Sequence, residues 1–331
     1  MNNGNKIVKW GIIGPGKIAN KFADDIKLVD NAKLIACASH DLNKAMEFKE
    51  KHGLEFFYGS YDEMLDNPEI DAVYIATTHN FHYENALLCI KHGKHILCEK
   101  AFTINAKQAE EIFEKAKAKN LFVMEGMWAR FLPAAKWVKE QIRKGEIGEI
   151  VSVFAQYGVK IPFNPQSRAY NINLAGGGLL DLGIYPLSFA CNILGCDPVE
   201  ISGVAKIGQT GVDEQASISL KYKNGESATI TCSMLDNYEN TAIVYGTKGK
   251  IFINQASMPT KAKLFKNNDY NIEYESLASN GFEYEISEAT SLILKGELES
   301  PTITAQDTIG ILKICDTLRG LWNFRYPDER I

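Results

Sequence analysis

The sequence predicts an α/β protein: a doubly wound parallel sheet, then an α+β domain on a large, mostly antiparallel open sheet. Three observations predict it. Strand-like and helix-like patterns alternate regularly through the first 126 residues. A glycine pair stands directly after the first strand and opens a helix. Beyond about residue 145 the pattern changes to strands joined by hairpin-type turns. Regular β-α alternation favours a parallel sheet with helices on both faces, and successive hairpins favour an antiparallel one. The boundaries read from these changes are 1–126 and 127–331.

The first strand is "IVKWGII" (7–13), a short apolar run rich in β-branched residues, as a buried parallel strand requires. "GPGKIANKFADDI" follows with helical periodicity. Then come "KLIACAS" (33–39), "DLNKAMEFKEKHG" (41–53), "DAVYIAT" (71–77), "HYENALLCIKHG" (82–93), "HILCEKA" (95–101), "AKQAEEIFEKAKAKN" (106–120) and "LFVMEG" (121–126). Gly14-x-Gly16-x-x-Ala19 fits the dinucleotide-binding fingerprint in the position where it has mechanical meaning, between first strand and first helix. Gly14 permits the turn, Gly16 admits a pyrophosphate, and Lys17 and Ile18 lie in the helical turn facing it.

An NAD site places an acid at the end of the second strand, about 20 residues on. Here Ser39 and His40 stand there, while Asp41 is placed to cap the next helix. Serine and histidine tolerate a 2′-phosphate, so the expected cofactor is NADP, with NAD the alternative. Thr77, Asn80 and His82 follow the "DAVYIAT" strand beside the expected cofactor cleft, although His82 could equally start its helix.

Composition limits the remaining possibilities. Hydrophobic residues at 45% and charged residues at 23% are ordinary for a soluble globular protein. A net charge of −5 argues against nucleic acid as partner, and no apolar run approaches the roughly 20 residues that span a bilayer. The N-terminus enters a strand pattern almost at once, unlike a signal peptide. Seven scattered cysteines without a C-x-x-C pair read as buried small hydrophobes, giving the expectation of a cytoplasmic protein with no metal site.

"GIIGPGKIA", "ATTHNFHYENALLCIKHGKHILCEKAF", "MEGMWARFLPA" and "GGGLLDLGIYPL" together resemble the glucose–fructose oxidoreductase/inositol dehydrogenase (Gfo/Idh/MocA) family, nearest its dimeric dihydrodiol dehydrogenase and D-xylose dehydrogenase branch. The resemblance runs from about residue 7 to 325. It implies a Rossmann domain and a second domain whose open sheet pairs into a homodimer. It also implies that Glu99-Lys100 is the Glu-Lys-Pro motif, its lysine beside the nicotinamide. Asp181 and Tyr185 then match the family's Asp-x-x-x-His, in the form with a final tyrosine. Two departures follow. Ala101 replaces the motif proline, so the backbone geometry of an X-Pro bond is not expected there. All six histidines precede residue 96, so the second domain has no imidazole base.

The opening of "GGGLLDLGIYPL" then takes on a role. A helix over 179–193 would put Asp181 and Tyr185 on one face, with Pro186 interrupting its ladder. Gly176–Gly178 would let backbone pass close to another surface, expected to be the nicotinamide end of the cofactor. A phenol, with an ordinary pKa of about 10, is a weak base unless a cation favours its phenolate. The expected catalytic set is therefore Tyr185 as proton acceptor, Lys100 as its cationic partner and holder of the substrate oxygen, and Asp181 orienting substrate or lysine. Trp128 is read as substrate contact or hinge packing, as is Arg130. Arg168 is read as a cofactor or anionic-substrate contact, or a solvated loop charge. Glu99 joins the cofactor set through its motif.

The function expected is hydride transfer between NAD(P) and a secondary alcohol of a sugar, polyol or vicinal diol. Two alternatives stay open: an NAD-dependent glycosidase-like enzyme without net cofactor turnover, and a non-catalytic cofactor and sugar sensor.

Overall fold

The computed structural model describes residues 6–266, 269–276 and 280–329. The chain forms two compact units. The first holds β1 (Val8–Ile13), α1 (Lys17–Asp25), β2 (Ala32–Ala38), α2 (Leu42–His52), β3 (Phe56–Tyr58), α3 (Tyr61–Leu65), β4 (Ala72–Ile75), α4 (His79–Lys91), β5 (His95–Glu99), most of α5 (Ala106–Ala118) and β6 (Val123–Gly126). Its six strands are parallel in the order β3-β2-β1-β4-β5-β6. This is the doubly wound order whose switch point lies between β1 and β4, where dinucleotides bind.

Sequence periodicity passed over β3 and α3. Three strand residues, each half-buried, carry too little apolar signal to be told from a loop. The core of this unit includes a packed aromatic cluster. Phe22 stacks on Tyr74 at 4.0 Å between ring centroids and meets Trp10 edge-on at 5.7 Å. Such pairs add about 0.5–1.5 kcal/mol each beyond the area they bury.

The second unit begins at Trp128 and contains α6 (Pro133–Arg143), β7 (Ile150–Gly158), α7 (Ile184–Leu194), β8 (Glu200–Ile207), β9 (Asp213–Lys221), β10 (Ser227–Ser233), β11 (Thr241–Gly246), β12 (Gly249–Asn254), β13 (Lys261–Lys266) and β14 (Asp269–Glu275). The order is β14-β13-β12-β11-β7-β10-β9-β8, antiparallel except between β7 and β10. Period-two alternation sorts its faces. Ala216, Ile218, Leu220, Ala228, Ile230 and Cys232 are buried, while Ser217, Ser219, Thr229 and Thr231 face the other way. Helix α7 packs on the buried side against β7 and β10.

Two elements follow the sheet: α8 (Phe282–Lys295) and α9 (Ala305–Leu321). The sequence boundary gave both to the second domain. The segment Asn280–Ala305 instead belongs to the first unit, and the chain resumes in the second at Gln306. Asp25, at the end of α1, fixes this return by accepting from the Asn280 side chain at 2.7 Å and the Phe282 amide at 3.0 Å. A partner 255 positions away leaves no local trace in the sequence.

Two smaller expectations are also corrected. An Asn-Gly pair between two strands favours a type I′ turn, but at Asn224-Gly225 only Gly225 has positive φ. The Gly225 amide bonds the Tyr222 carbonyl at 3.1 Å, giving a type I turn closed by a left-handed glycine. One helical stretch, Ile172–Leu194, is long and apolar enough to cross a bilayer, but it is 89% buried within the protein and reads as a core helix.

Candidate active site

The first unit presents a nucleotide cradle at the β1–α1 turn. Gly14 has φ of +84°, and a side chain there would meet Thr77 Cγ2 at 2.9 Å and backbone at 3.2 Å. The turn closes through the Gly16 amide on the Gly14 carbonyl at 2.8 Å. Gly16 is the N-cap of α1, with no side-chain cap and no acid in the first turn. The space a Cβ would enter at Gly16 has nothing closer than the Gly14 carbonyl at 3.9 Å. Uncapped amides, a glycine lip and the absence of competing carboxylates are what a pyrophosphate requires. Lys17 and Ile18 begin the helix, with Lys17 exposed.

At the end of β2, Ser39 is half-buried and His40 is exposed, its ring 4.3 Å from that of Tyr61. Asp41 is occupied as expected. Its carboxylate accepts from the Asn43 amide at 3.1 Å and the Lys44 amide at 3.4 Å, capping α2. Thr77 and Asn80 follow β4 and are half-buried, with Asn80 bonded to Thr78.

His82 does not belong to this cofactor set. Its ring is fully buried, with Nδ1 at 2.9 Å from the Ala101 carbonyl and Nε2 at 3.0 Å from the Thr77 carbonyl. Burial lowers its pKa, so the ring is neutral and ties two backbone segments together. Glu99 is likewise turned inward, accepting from the Tyr74 hydroxyl and from the Lys100 amide. Burial, then the Glu99 charge, pushes the Tyr74 phenol far above its ordinary range, so this tyrosine serves only as a donor. Glu125 accepts from the Phe102 amide at 3.2 Å. The Lys100–Ala101 peptide is cis although no proline is present, correcting the expectation for Ala101. Lys100 is thus a half-buried lysine on backbone held from three sides, by Tyr74 through Glu99, by His82 and by Glu125.

The second unit supplies the other half of the predicted set. Leu179–Gly183 is a π-helical turn that continues into α7, where an α-helix was expected throughout. Pro186 gives the reason: without an amide at that position, the ladder of the preceding turn lacks one donor and widens. Asp181 is buried in the π turn, and Tyr185 lies half-buried in the first turn of α7. The Tyr185 ring meets Tyr157 of β7 edge-on at 5.8 Å. Arg168 is a side chain exposed by 57% whose guanidinium pairs with Asp181 at 3.0 Å. The structure therefore joins Arg168 to Asp181, a pairing hidden by a separation of thirteen positions.

The three glycines approach other protein atoms closely. A Cβ on Gly176 would lie 2.6 Å from the Ala169 carbonyl, and one on Gly177 (φ +129°) would lie 2.4 Å from Asp213 Oδ1. Trp128 is 9% exposed in a 3-10 turn. Arg130 is packing: its guanidinium bonds Ser188 at 2.9 Å and Asp307 at 3.4 Å. Sequence reasoning missed Asp213 and Tyr326, whose roles depend on contacts 34 and 150 residues away. Neither the polar stretch around Asp213 nor the one around Tyr326 carries a local signal of these contacts. Among the described residues, no group of three or more His, Cys, Asp or Glu could hold a metal ion.

Residues 8–127 match the family model of the oxidoreductase NAD-binding Rossmann fold, and residues 135–252 match the GFO/IDH/MocA C-terminal domain. The chain is also 35% identical over 332 residues to the trans-1,2-dihydrobenzene-1,2-diol dehydrogenase of Mus musculus, covering 98% of this chain and 99% of that one. The protein belongs to the Gfo/Idh/MocA oxidoreductase family. This family member is similar as well to the Homo sapiens enzyme of the same name, at 31% over 333 residues, 98% of this chain and 99% of that one. Among solved structures it superposes with TM-score 0.86 and 26% identity on a 3-ketoreductase from Actinomadura kijaniata in complex with NADP and TDP-benzene, covering 95% and 98% of the two chains. A lysine-to-alanine and a tyrosine-to-phenylalanine variant of that reductase match with TM-scores of 0.83 and 0.86. The Gfo/Idh/MocA member described here is accordingly an NAD(P)-dependent oxidoreductase.

Proposed function

We propose that the protein oxidises a secondary alcohol of a vicinal diol, polyol or sugar, with NADP+ preferred over NAD+. The observation that carries this reading is the pairing of residue types on one turn. Tyr185 and the Arg168-bound Asp181 share the π turn and first turn of α7, in a second unit that contains no histidine. The full-length relatives at 31–35% identity are diol dehydrogenases, which supports the substrate class. Half-buried Ser39 and exposed His40, with Asp41 consumed by α2, leave no carboxylate at the end of β2 to repel a 2′-phosphate.

When bound, the nicotinamide supplies the hydride acceptor. The chain's own residues handle oxygen and proton. Tyr185 takes the hydroxyl proton as the carbinol carbon loses hydride, and the Lys100 ammonium holds the same oxygen and favours the phenolate. Asp181, fixed by Arg168, orients the substrate. Intact Lys100 weighs against a sensor without chemistry. The test is reduction of NADP+ and NAD+ against trans-1,2-dihydrobenzene-1,2-diol, aldoses and inositols, followed by nicotinamide absorbance. Turnover of a diol or sugar faster with NADP+ is expected. Tight cofactor binding without net reduction in any pool, together with glycoside cleavage, would move the assignment to the hydrolytic class.

The protein is also proposed to be a cytoplasmic homodimer that pairs through the outer face of its eight-stranded sheet. Phe154 (47% exposed) and Val204 (71% exposed) lie on that face among threonines and serines. Phe154→Glu is expected to halve the mass measured by light scattering, and a wild-type monomer would exclude the arrangement.

A further inference from the structure

The triple glycine raises a question that its neighbours answer. Asp213, the first residue of β9, is fully buried, and its Oδ2 accepts from the Leu179 amide at 2.6 Å. Oδ1 has no hydrogen-bond partner among the described residues, and it occupies the space beside Gly177 where any Cβ would be. On the other side, the Tyr326 hydroxyl donates to the Gly176 carbonyl at 2.9 Å. Tyr326 is itself gripped. The Arg319 guanidinium lies 4.9 Å from its ring centroid and bonds Glu329 at 2.6 and 2.7 Å, Asp316 at 2.6 Å and the Ile104 carbonyl at 2.8 Å. The Tyr326 amide closes the turn on Glu329 at 3.0 Å.

We propose that Asp213 and Tyr326 are positioning residues: they clamp Gly176–Leu179 from two sides and so set where the π turn presents Asp181 and Tyr185. The inference rests on the reading of Tyr185 as proton acceptor. A fixed glycine segment explains why a flexible sequence is tolerated at the start of a catalytic helix. The freedom of glycine is spent on close approach, and the two polar clamps restore rigidity.

A carboxylate at this place is costly. Burial pushes Asp213 up to about 7, against the Leu179 amide and the Arg319 charge that favour its ionised form. The titratable groups that interact with it are Arg319 from α9, Tyr326 from the C-terminal turn and Cys232 from β10; Arg319 is in turn paired with Asp316 and Glu329. Cys232 is pushed up by burial and then by the Asp213 charge, so it stays a thiol. Adjacent Glu214 is paired with Lys206 at 3.4 Å. Deprotonation strengthens the cap on Leu179, where negative charge is favoured at a helix start. Protonation loosens it.

The native state therefore binds a proton on Asp213 that the unfolded chain releases near its ordinary value of 3.8. Stability is lost as pH rises from about 4 through about 7. The melting temperature of Asp213→Asn relative to wild type is thus expected to be higher at pH 8 than at pH 4.

The experiment compares wild type, Asp213→Asn, Tyr326→Phe and Tyr185→Phe, each as the full chain. Hydrogen exchange is read on peptides spanning 176–186, at matched pH. Exchange about tenfold faster is expected in Asp213→Asn and Tyr326→Phe, with peptides of α8 unchanged and Tyr185→Phe behaving as wild type. In the diol assay, both clamp variants should lose kcat by about tenfold with KM for NADP+ unchanged. The acid limb of wild-type kcat near pH 7 should be absent from Asp213→Asn. Unchanged protection of 176–186 in both clamp variants would overturn the inference, as would an unchanged kcat profile. Tyr185→Phe with full activity would instead remove the reading on which it rests. Should Asp213→Asn fail to fold, Tyr326→Phe carries the test through the same two readouts.

Discussion

Replacing Tyr185 with phenylalanine is expected to lower kcat about a hundredfold or more, the scale of a lost general base, while leaving NADP(H) affinity unchanged. The substitution keeps the ring and removes one oxygen. Its edge-on contact with Tyr157, 5.8 Å between centroids, is a ring–ring contact that phenylalanine reproduces. The half-buried ring sits in the first turn of α7. A shape-conserving change of this kind costs little stability, so lost turnover reports chemistry rather than folding. No imidazole exists in the second unit to take over the proton. Steady-state kcat, with fluorescence titration of NADPH as the control, checks the prediction. Retention of more than about a tenth of wild-type kcat would remove Tyr185 from its role.

Legibility in the sequence followed the range of the interaction. Alternating strand and helix patterns are local, and with them came the parallel order, the Gly14–Gly16 turn and the cap at Asp41. The motif spacing of Asp181 and Tyr185 also survived, even though the turn between them is π rather than α. Several of the errors concern partners distant in sequence. His82 looks like a cofactor ligand until its two carbonyl partners are known, and Arg168 looks solvated until Asp181 appears beside it. The glycines suggest proximity to a ligand, but the atoms that demand them are Ala169 O and Asp213 Oδ1. Asp213 itself reads as the polar start of a strand. No periodicity distinguishes an exposed strand-end acid from a buried one; burial is a property of the finished fold. The second domain's boundary failed for the same reason, since Asp25 and Phe282, which fix the return of the chain, are 257 positions apart.

Lys100→Ala is expected to lower kcat by about a hundredfold or more while the protein still folds and still binds NADP(H). The folding half of this expectation comes from the backbone. Glu99 is held by Tyr74, the Ala101 carbonyl by His82, and the Phe102 amide by Glu125, so the turn does not depend on the lysine side chain for its shape. The cofactor half comes from the cradle, whose amides belong to the β1–α1 turn, with β4 lying between β1 and β5 in the sheet. What is lost, on the mechanism proposed above, is a compact cation that holds an alcohol oxygen and favours phenolate on Tyr185. Arginine does not replace it, because a planar fork demands different geometry from a point charge, so Lys100→Arg should recover little. The variant also separates the classes of activity. In an oxidoreductase, Lys100→Ala and Tyr185→Phe should fail at the same hydride-transfer step, and their double variant should be little worse than either alone, as expected of groups acting on one oxygen. If the two losses multiply, lysine and tyrosine act on different steps, and the cation's task is to position substrate rather than to tune the base.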